Sequence, residues 1–436
     1  MRIGPWVLAV STMLLAGASA ADPAIDAWVD EALPGLVETY QSLHANPELS
    51  LEEQKTAALV ARTLEEAGYR VMTGIGGHGV VGVLENGDGP TLLIRGDMDG
   101  LPITETTGLP YASRVTTERP DGTSVGIMHG CGHDVHVANL LGTARLLADL
   151  RDRWRGTLVI LGQPAEEVGK GARMMIEDGL FSKIPRPDHA IALHVDAGLP
   201  AGQIGWISGW AAANVDSVDI TIHGRGGHGA RPHQTVDPIV AAAHLVTALQ
   251  TIVSRRVNPA DPAVVTVGSF HAGAKHNVIP DSAHLQLTVR SYSDGVRDLL
   301  LDSIRQLATD TCVSFGCPKP PDVTIKDEYT PAMYNDPALV ASAVEVFEGF
   351  LGKENVIEMV PAMGGEDFGR YHRAQGMPAF QFRLGSIDPA HVREAERGGA
   401  ALPSLHSSLY APEPEATLAT GVGATSRLAL SLLGTP

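Results

Sequence analysis

Basic residues, cysteine and long apolar runs are all in short supply in this chain, and each shortage narrows what it can be. Against 50 Asp and Glu there are only 32 Lys and Arg, a formal charge of −18. So acidic a chain makes nucleic acid and anionic lipid poor partners, because both are held mainly by positive charge. Three cysteines cannot all pair. Cys131 lies in a histidine-rich segment, while Cys312 and Cys317, in TCVSFGCPKP, are spaced for either a disulfide or two buried thiols. After the first twenty residues no apolar run reaches the roughly 20 residues that span a bilayer, so the mature chain is expected to be soluble and not to use a membrane.

The first twenty residues differ. Met1-Arg2 precedes an apolar run over residues 6–16 and then Ala18-Ser19-Ala20, a small-x-small pattern that signal peptidases accept. A leader over residues 1–20, cleaved after Ala20, and a secreted or periplasmic location follow as expectations. The remainder is ample for packed cores: of 436 residues, 44% are hydrophobic and 19% charged. That length suits two domains better than one core.

Periodicity sets out those domains. Residues 26–37 and 51–67 carry helical spacing. Residues 80–84 and 91–94 are apolar strands, and Asn86-Gly87-Asp88-Gly89 between them predicts a hairpin. A helical pattern after Asp134 leads to a continuously apolar strand at 157–161, a helix near 172–178 and a strand at 190–193. Apolar strands alternating with helices predict a mostly parallel sheet covered on both faces. From Ser217 the pattern changes to true alternation, as in Val218, Ile220 and Ile222. A helix over 238–253, alternating stretches at 264–267 and 284–290 and a helix over 296–309 complete a β-α-β-β-α order. The proline-rich stretch 318–321 then predicts a return to the first domain. The expected fold class is α/β: a main domain of mostly parallel sheet, from residues 21–206 and 325–436, with an inserted α+β, ferredoxin-like domain at 207–324.

Chemistry concentrates in five segments where strands end: RGDMDGLP from Arg95, MHGCGHDVH from Met128, GQPAEE from Gly162, ALHV from Ala192 and LHSS from Leu405. In an open α/β sheet, ligand sites gather beyond the carboxyl ends of strands, so segments far apart in sequence can share one cleft. A thiol, several imidazoles and carboxylates together suit zinc, manganese, cobalt or nickel rather than the oxygen-loving calcium and magnesium. Cys131 and His133 are too close for two ligands on one helical face and belong on the loop that opens the next helix. Adjacent Glu166 and Glu167 repel each other unless positive charge is near. A metal resolves this, with one glutamate ligating and its neighbour free to take a proton; a solvated loop is the bland alternative.

Together these segments resemble the M20 family of metallopeptidases, in the subgroup of hippurate hydrolases, N-acyl amino acid amidohydrolases and auxin-conjugate hydrolases. The match runs collinearly from HANPELS at His44 to Leu405-His406-Ser407. By position, the resemblance implies two divalent ions held by Cys131, His133, Glu167, His194 and His406, with Cys131 bridging. It implies Glu166 as general base and Asp99 as a second catalytic residue supporting the site from behind. Where the wider family has a histidine ligand, this chain has Asp97, and His133 takes over that duty. GRGGHGARP at Gly224 resembles the family's lid motif, so His228 is expected to reach the substrate carbonyl, across the subunit boundary of a homodimer. Asn277 and Arg290 resemble the residues that hold the substrate's carboxylate. Gly130 and Val137 depart from the usual alanine and threonine without touching a ligand.

The implied activity is hydrolysis of the amide bond of an N-acyl amino acid, with water activated by the metals and Glu166 shuttling its proton. A carboxypeptidase or dipeptidase acting on short peptides is the alternative within the same chemistry. Two rivals from other classes are an amidase with Cys131 as nucleophile and His129 or His133 as base, and a metal-binding protein without catalysis. The first leaves Glu166, Glu167, His194 and His406 without a role; the second leaves Glu166 and Asp99 without one.

Overall fold

The computed structural model describes residues 22–327 and 329–436; the leader expected over residues 1–20 lies outside the described residues. Helices α1 (Pro23–Ala45) and α2 (Gln54–Glu66) precede strands β1 (Arg70–Ile75), β2 (Gly79–Asn86) and β3 (Thr91–Asp97). Then come α3 (His133–Asp149), β4 (Gly156–Gln163), α4 (Gly171–Glu177), β5 (His189–Pro200) and β6 (Ile204–Trp206). Near the C-terminus β11 (Val356–Glu358) and β12 (Ala379–Ile387) complete an eight-stranded sheet, in the order β1-β2-β4-β3-β5-β12-β6-β11. The central run β4-β3-β5-β12 is parallel throughout. Antiparallel pairing enters towards the edges, at β1–β2, β2–β4 and β12–β6.

The apolar runs of this sheet are buried on both sides, and the pleat divides them. Leu92, Ile94, Leu158 and Ile160 face one core, where α1, α2, α3 and helix Pro414–Leu432 pack. Leu93, Val159 and Leu161 face the other, against Met175, Phe368 and Tyr371. With a period of two, successive side chains go to opposite faces. Burial of each large aliphatic residue contributes about 1.5–3 kcal/mol.

The hairpin expected between β2 and β3 is not formed. The chain reverses at residues 87–90, but β4 lies between the two strands, antiparallel to β2 and parallel to β3. The Gly-rich turn sets direction only. Both strands are apolar on both faces, and the sheet reaches its full burial by accepting a third apolar strand between them.

The chain leaves the large sheet through Gly209–Ala212 and comes back through Met333–Asn335, two segments that pair antiparallel. Between them lies a four-stranded antiparallel sheet in the order β8-β9-β7-β10: β7 (Asn214–His223), β8 (Ala263–Ala272), β9 (Ser282–Ser291) and β10 (Asp322–Ile325). Strand β7 alternates buried and half-buried residues along its length. Its Val218, Ile220 and Ile222 pack with Leu245 and Leu249 of helix α5 (Pro238–Arg255) and Leu300 and Ile304 of helix α6 (Asp294–Phe315). The proline-rich stretch 318–321 does not lead back to the large sheet; it leads into β10, an edge strand on β7. Cys312 and Cys317, at the end of α6, are both free thiols, as is Cys131. Among the described residues no helix is long and apolar enough to cross a membrane.

Candidate metal centre

Three neighbouring parallel strands, β4, β3 and β5, deliver the chemistry at one end of the sheet. Asp97 ends β3 and Asp99 follows it, beyond β4 come Glu166 and Glu167, and His194 sits on β5. Cys131 and His133 approach from the loop opening α3. Gly132 caps that helix with φ 76°, and a Cβ there would lie 2.5 Å from Val195, so only glycine can turn the chain between the two residues. His406 arrives on the loop before helix Pro414–Leu432. Backbone strain marks the same place. The non-glycine residues with positive φ among those described are Leu51, Ala165 and His406. Each adjoins or belongs to the cluster, and such conformations persist only where surroundings enforce them.

The five expected ligands converge. Cys131, His133 and His194 place one donor atom each within 4.8 Å of one another, and so do Cys131, Glu167 and His406. Cys131 belongs to both triplets, with its Sγ 3.5 Å from His194 Nε2 and 3.3 Å from His406 Nε2. Glu167 Oε1 lies 3.5 Å from His406 Nε2 and 3.9 Å from His133 Nε2.

Each imidazole is turned by what its other nitrogen does. His133 Nδ1 donates to the carbonyl of Asp99 at 2.8 Å, and His194 Nδ1 donates to the carbonyl of Val195 at 2.8 Å. Both rings thereby present the Nε2 lone pair to Cys131 and Glu167, the arrangement by which outer partners orient metal-ligating histidines. His133 Nε2 and Glu167 Oε1 are buried without a hydrogen-bond partner. Leaving such atoms unpaired costs about 1–3 kcal/mol each, and a cation between them removes the cost.

The charge balance points the same way. Burial, then Glu366, Glu167 and Asp367, push the Glu166 carboxyl well above its ordinary range. Burial raises Glu167 to about 7 against the pull of His133. Carboxylates packed this closely are short of positive charge. Orphaned lone pairs, a thiol shared by two triplets and a charge deficit together fit a pair of divalent ions.

Asp99 supports the site from behind. Its carboxylate accepts from the backbone N–H of Glu166 at 3.2 Å, that of Glu167 at 3.0 Å and the hydroxyl of Ser50 at 2.6 Å. Asp97 also groups with His133 and His136 as possible ligands, its Oδ2 3.5 Å from His133 Nε2, but its oxygens are already engaged. It accepts from Arg95 at 2.7 Å and from His136 Nδ1 at 2.5 Å, while His136 Nε2 accepts the Val195 N–H at 2.9 Å. With both nitrogens engaged, His136 buttresses β5 rather than offering a lone pair.

His136 was missed in the sequence although it follows His133 by three residues, on the same helical face. Also missed were buried Arg95 and its partners Glu366 and Asp367, at 3.0 and 3.2 Å. The adjacent-carboxylate argument applied to Glu166 and Glu167 would have found Glu366 and Asp367 too.

Beside the cluster opens a cleft of about 490 Å³, lined by Glu166, Glu167, His406, Glu366 and, from the small sheet, Ser217 and Arg290. Arg290 is half-buried, donates through Nε to Thr288 at 3.0 Å and has no ion pair among the described residues. Burial lowers its pKa, so a ligand anion would be welcome there. His228 and Asn277 are elsewhere. His228 lies opposite Val278 on a short exposed strand pair that Asn277 immediately precedes, the Gly229 N–H donates to the Asn277 carbonyl at 2.9 Å, and neither residue lines this cleft. The cysteine-nucleophile alternative loses one candidate base: buried His129 has no hydrogen-bond partner on either nitrogen, so it makes no hydrogen bond to Cys131.

Comparisons with known proteins point to one family. The sequence profile of peptidase family M20/M25/M40 matches residues 93–397. A thermostable carboxypeptidase of Saccharolobus solfataricus is 34% identical over 406 residues, covering 92% of this chain and 96% of that protein. A hippurate hydrolase of Campylobacter jejuni is 39% identical over 335 residues, covering 75% and 82%. Among solved structures, a dinuclear metal-binding peptidase of the M20 family from Bacillus subtilis superposes with a TM-score of 0.75 at 29% identity, over 93% of this chain and 100% of that one.

Proposed function

The chain belongs to peptidase family M20/M25/M40 and is a hydrolase of amide C–N bonds, and from that premise we propose that it cleaves N-acyl amino acids. The observation that carries this reading is Arg290, an unpaired half-buried guanidinium that shares one cleft with Glu166 and the ligand cluster. Its planar fork matches a carboxylate. A substrate held there by its free carboxylate presents the neighbouring amide to Glu166.

Cys131, His133, His194, Glu167 and His406 would hold two divalent ions, drawn from zinc, manganese, cobalt or nickel. Bound ions would supply Lewis acidity, which lowers the pKa of water towards neutrality. Glu166 takes the proton that water gives up and passes it to the leaving nitrogen. Asp99 keeps the backbone of Glu166 and Glu167 in place. His228, exposed and outside the cleft of its own chain, stabilises the developing oxyanion from a second copy, and Asn277 follows it to the carboxylate; the reading therefore includes a homodimer. A leader over residues 1–20, cleaved after Ala20, would give the enzyme a secreted or periplasmic location.

The carboxypeptidase relative, which aligns over nearly its whole length, favours a second reading: a short peptide whose C-terminal residue occupies the same place. One panel separates the two and tests both. Metal-loaded protein is assayed on N-acetyl, N-benzoyl and N-indoleacetyl amino acids, on dipeptides, and on each compound with its carboxyl blocked as methyl ester or amide. Turnover of free acids with strong discrimination against the blocked forms is expected. Equal turnover of acid and blocked analogue would remove the clamp and the substrate class with it. Arg290→Lys is expected to lower kcat/KM by more than the roughly 1 kcal/mol an exposed ion pair supplies.

A further inference from the structure

Resting on the N-acyl amino acid reading, we infer that Glu366 is the acceptor for the scissile N–H and then for the amine it becomes. Glu366 is 2% exposed, yet it lines the cleft. Three donors hold it: Arg95 Nη2 at 3.0 Å and the Phe368 N–H at 2.8 Å on Oε1, and Gln381 Nε2 at 2.6 Å on Oε2. An ionised carboxylate has about four acceptor positions. Three are filled, and the one left is on Oε2.

Its place between two other groups gives that acceptor a use. On one side the carboxylate oxygens of Glu366, Asp367 and Glu166 lie within 4.8 Å of one another. On the other, the preceding residue is Gly365, where even a Cβ would stand only 3.9 Å from Arg290 Nη1. The Val215 side chain is nearer still, its Cγ2 2.6 Å from that position, so Val215 and Arg290 together border Gly365, and the backbone of Glu366 follows directly. Glu366 thus stands between the group that delivers a proton to nitrogen and the group that takes the substrate's carboxylate. In an amino acid, nitrogen and carboxylate share one carbon, so a substrate anchored on Arg290 has its N–H within this same short span.

The charge around Glu366 suits the product. Among the described residues Arg95 is the one cation at hydrogen-bonding distance of Glu366, and it is shared with Asp97 and Asp367. Glu166, Glu167 and Glu366 line the cleft against Lys170 and Arg290, so carboxylates predominate where the nitrogen gains positive charge. In the reaction, water adds its oxygen to the acyl carbon as the C–N bond breaks. One proton reaches nitrogen through Glu166, and the acid product releases the second, giving carboxylate and ammonium. Glu366 forms no covalent bond and moves no proton. It accepts from the N–H in the substrate and from the ammonium in the product, and the network of Arg95, Phe368 and Gln381 fixes its carboxylate before either arrives.

The test replaces the N–H by oxygen. For the N-acyl amino acid that the wild type hydrolyses best, kcat/KM is compared with that of the corresponding O-acyl 2-hydroxy acid, in wild type and in Glu366→Gln. A hydrogen bond to a charged group predicts a loss roughly 10- to 100-fold larger on the amide than on the ester. Because the readout is a ratio, any drop in the active fraction cancels. Glu366→Asp, which keeps the charge, should restore part of the ratio. Should neither variant fold, calorimetry on the wild type decides: the free amino acid should bind about tenfold or more tightly than its 2-hydroxy analogue. Equal losses on amide and ester, or equal binding of the two products by the wild type, would overturn the role of Glu366 alone. A wild type inactive on every N-acyl amino acid would overturn the parent reading and this one with it.

Discussion

The large sheet and the small one treat their functional histidines in opposite ways. His133 and His194 are buried, each with Nδ1 tied to a main-chain carbonyl and Nε2 aimed into a cluster. His228 is exposed, and its Nδ1 accepts only from the Ala230 N–H two residues on, at 3.1 Å. Burying an imidazole with a lone pair unmet is unfavourable unless something meets it. The cluster is therefore organised around an ion. An exposed imidazole carries no such requirement, because water meets its lone pairs.

The largest effect should come from removing the ions. Chelation is expected to abolish turnover, and a divalent ion to restore it. Cys131, as a shared thiolate ligand, should resist iodoacetamide when metal is bound and react after chelation. A metal-free enzyme that kept full activity, and lost it to iodoacetamide, would return the cysteine-nucleophile alternative.

Next in size is Glu166→Gln. It removes the proton carrier and leaves every ligand, so kcat should fall about 10²- to 10⁴-fold with metal content unchanged. Near-normal kcat at normal metal content would show that the base is another residue.

The contrast itself is tested by complementation. Glu166→Gln has an intact lid and a dead centre; His228→Ala has the reverse. If His228 acts across a two-fold interface, half of randomly mixed dimers carry one restored site, about a quarter of wild-type activity. Verified heterodimers without recovery would place His228 in its own subunit's site or outside catalysis.

How much of this was legible in the sequence depends on how local each feature is. The parallel core could be read from runs such as residues 157–161, because a strand buried on both faces leaves a continuous apolar signature. Partnership between strands could not: the turn at 86–89 resembles a hairpin whether or not β4 lies between its arms. The ligand segments stood out because each packs several donors into a few residues. The link from Arg95, in one of those segments, to Glu366 and Asp367 did not, since a buried cation shared among three carboxylates looks like scattered surface charge until the strands are placed side by side. The exposure of His228 and Asn277 depends on where the small sheet sits, which no local pattern encodes.

The smallest effect on turnover is expected behind the centre, where His44 joins α1 to the loop bearing Glu105 and to Asp134 at the start of α3. His44 Nδ1 is 2.7 Å from Asp134 and Nε2 is 3.1 Å from Glu105, with all three side chains enclosed. Burial alone would lower the imidazole's pKa, but the hydrogen bonds to Asp134 and Glu105 outweigh it and raise the value to about 10. An unfolded histidine titrates near 6.5. A group whose folded pKa is raised stabilises the fold fully below the unfolded value and loses that contribution as pH rises through the folded one. The contribution of His44 should therefore be complete at pH 6, fall progressively above about 6.5 and vanish beyond about 10. His44→Gln leaves two enclosed carboxylates without their cation, a loss of about 3–5 kcal/mol at low pH. Urea midpoints measured on wild type and variant from pH 6 to pH 10.5 should converge as pH rises. A gap that stayed constant across that range would mean that His44 is neutral in the folded protein and holds its neighbours by shape alone.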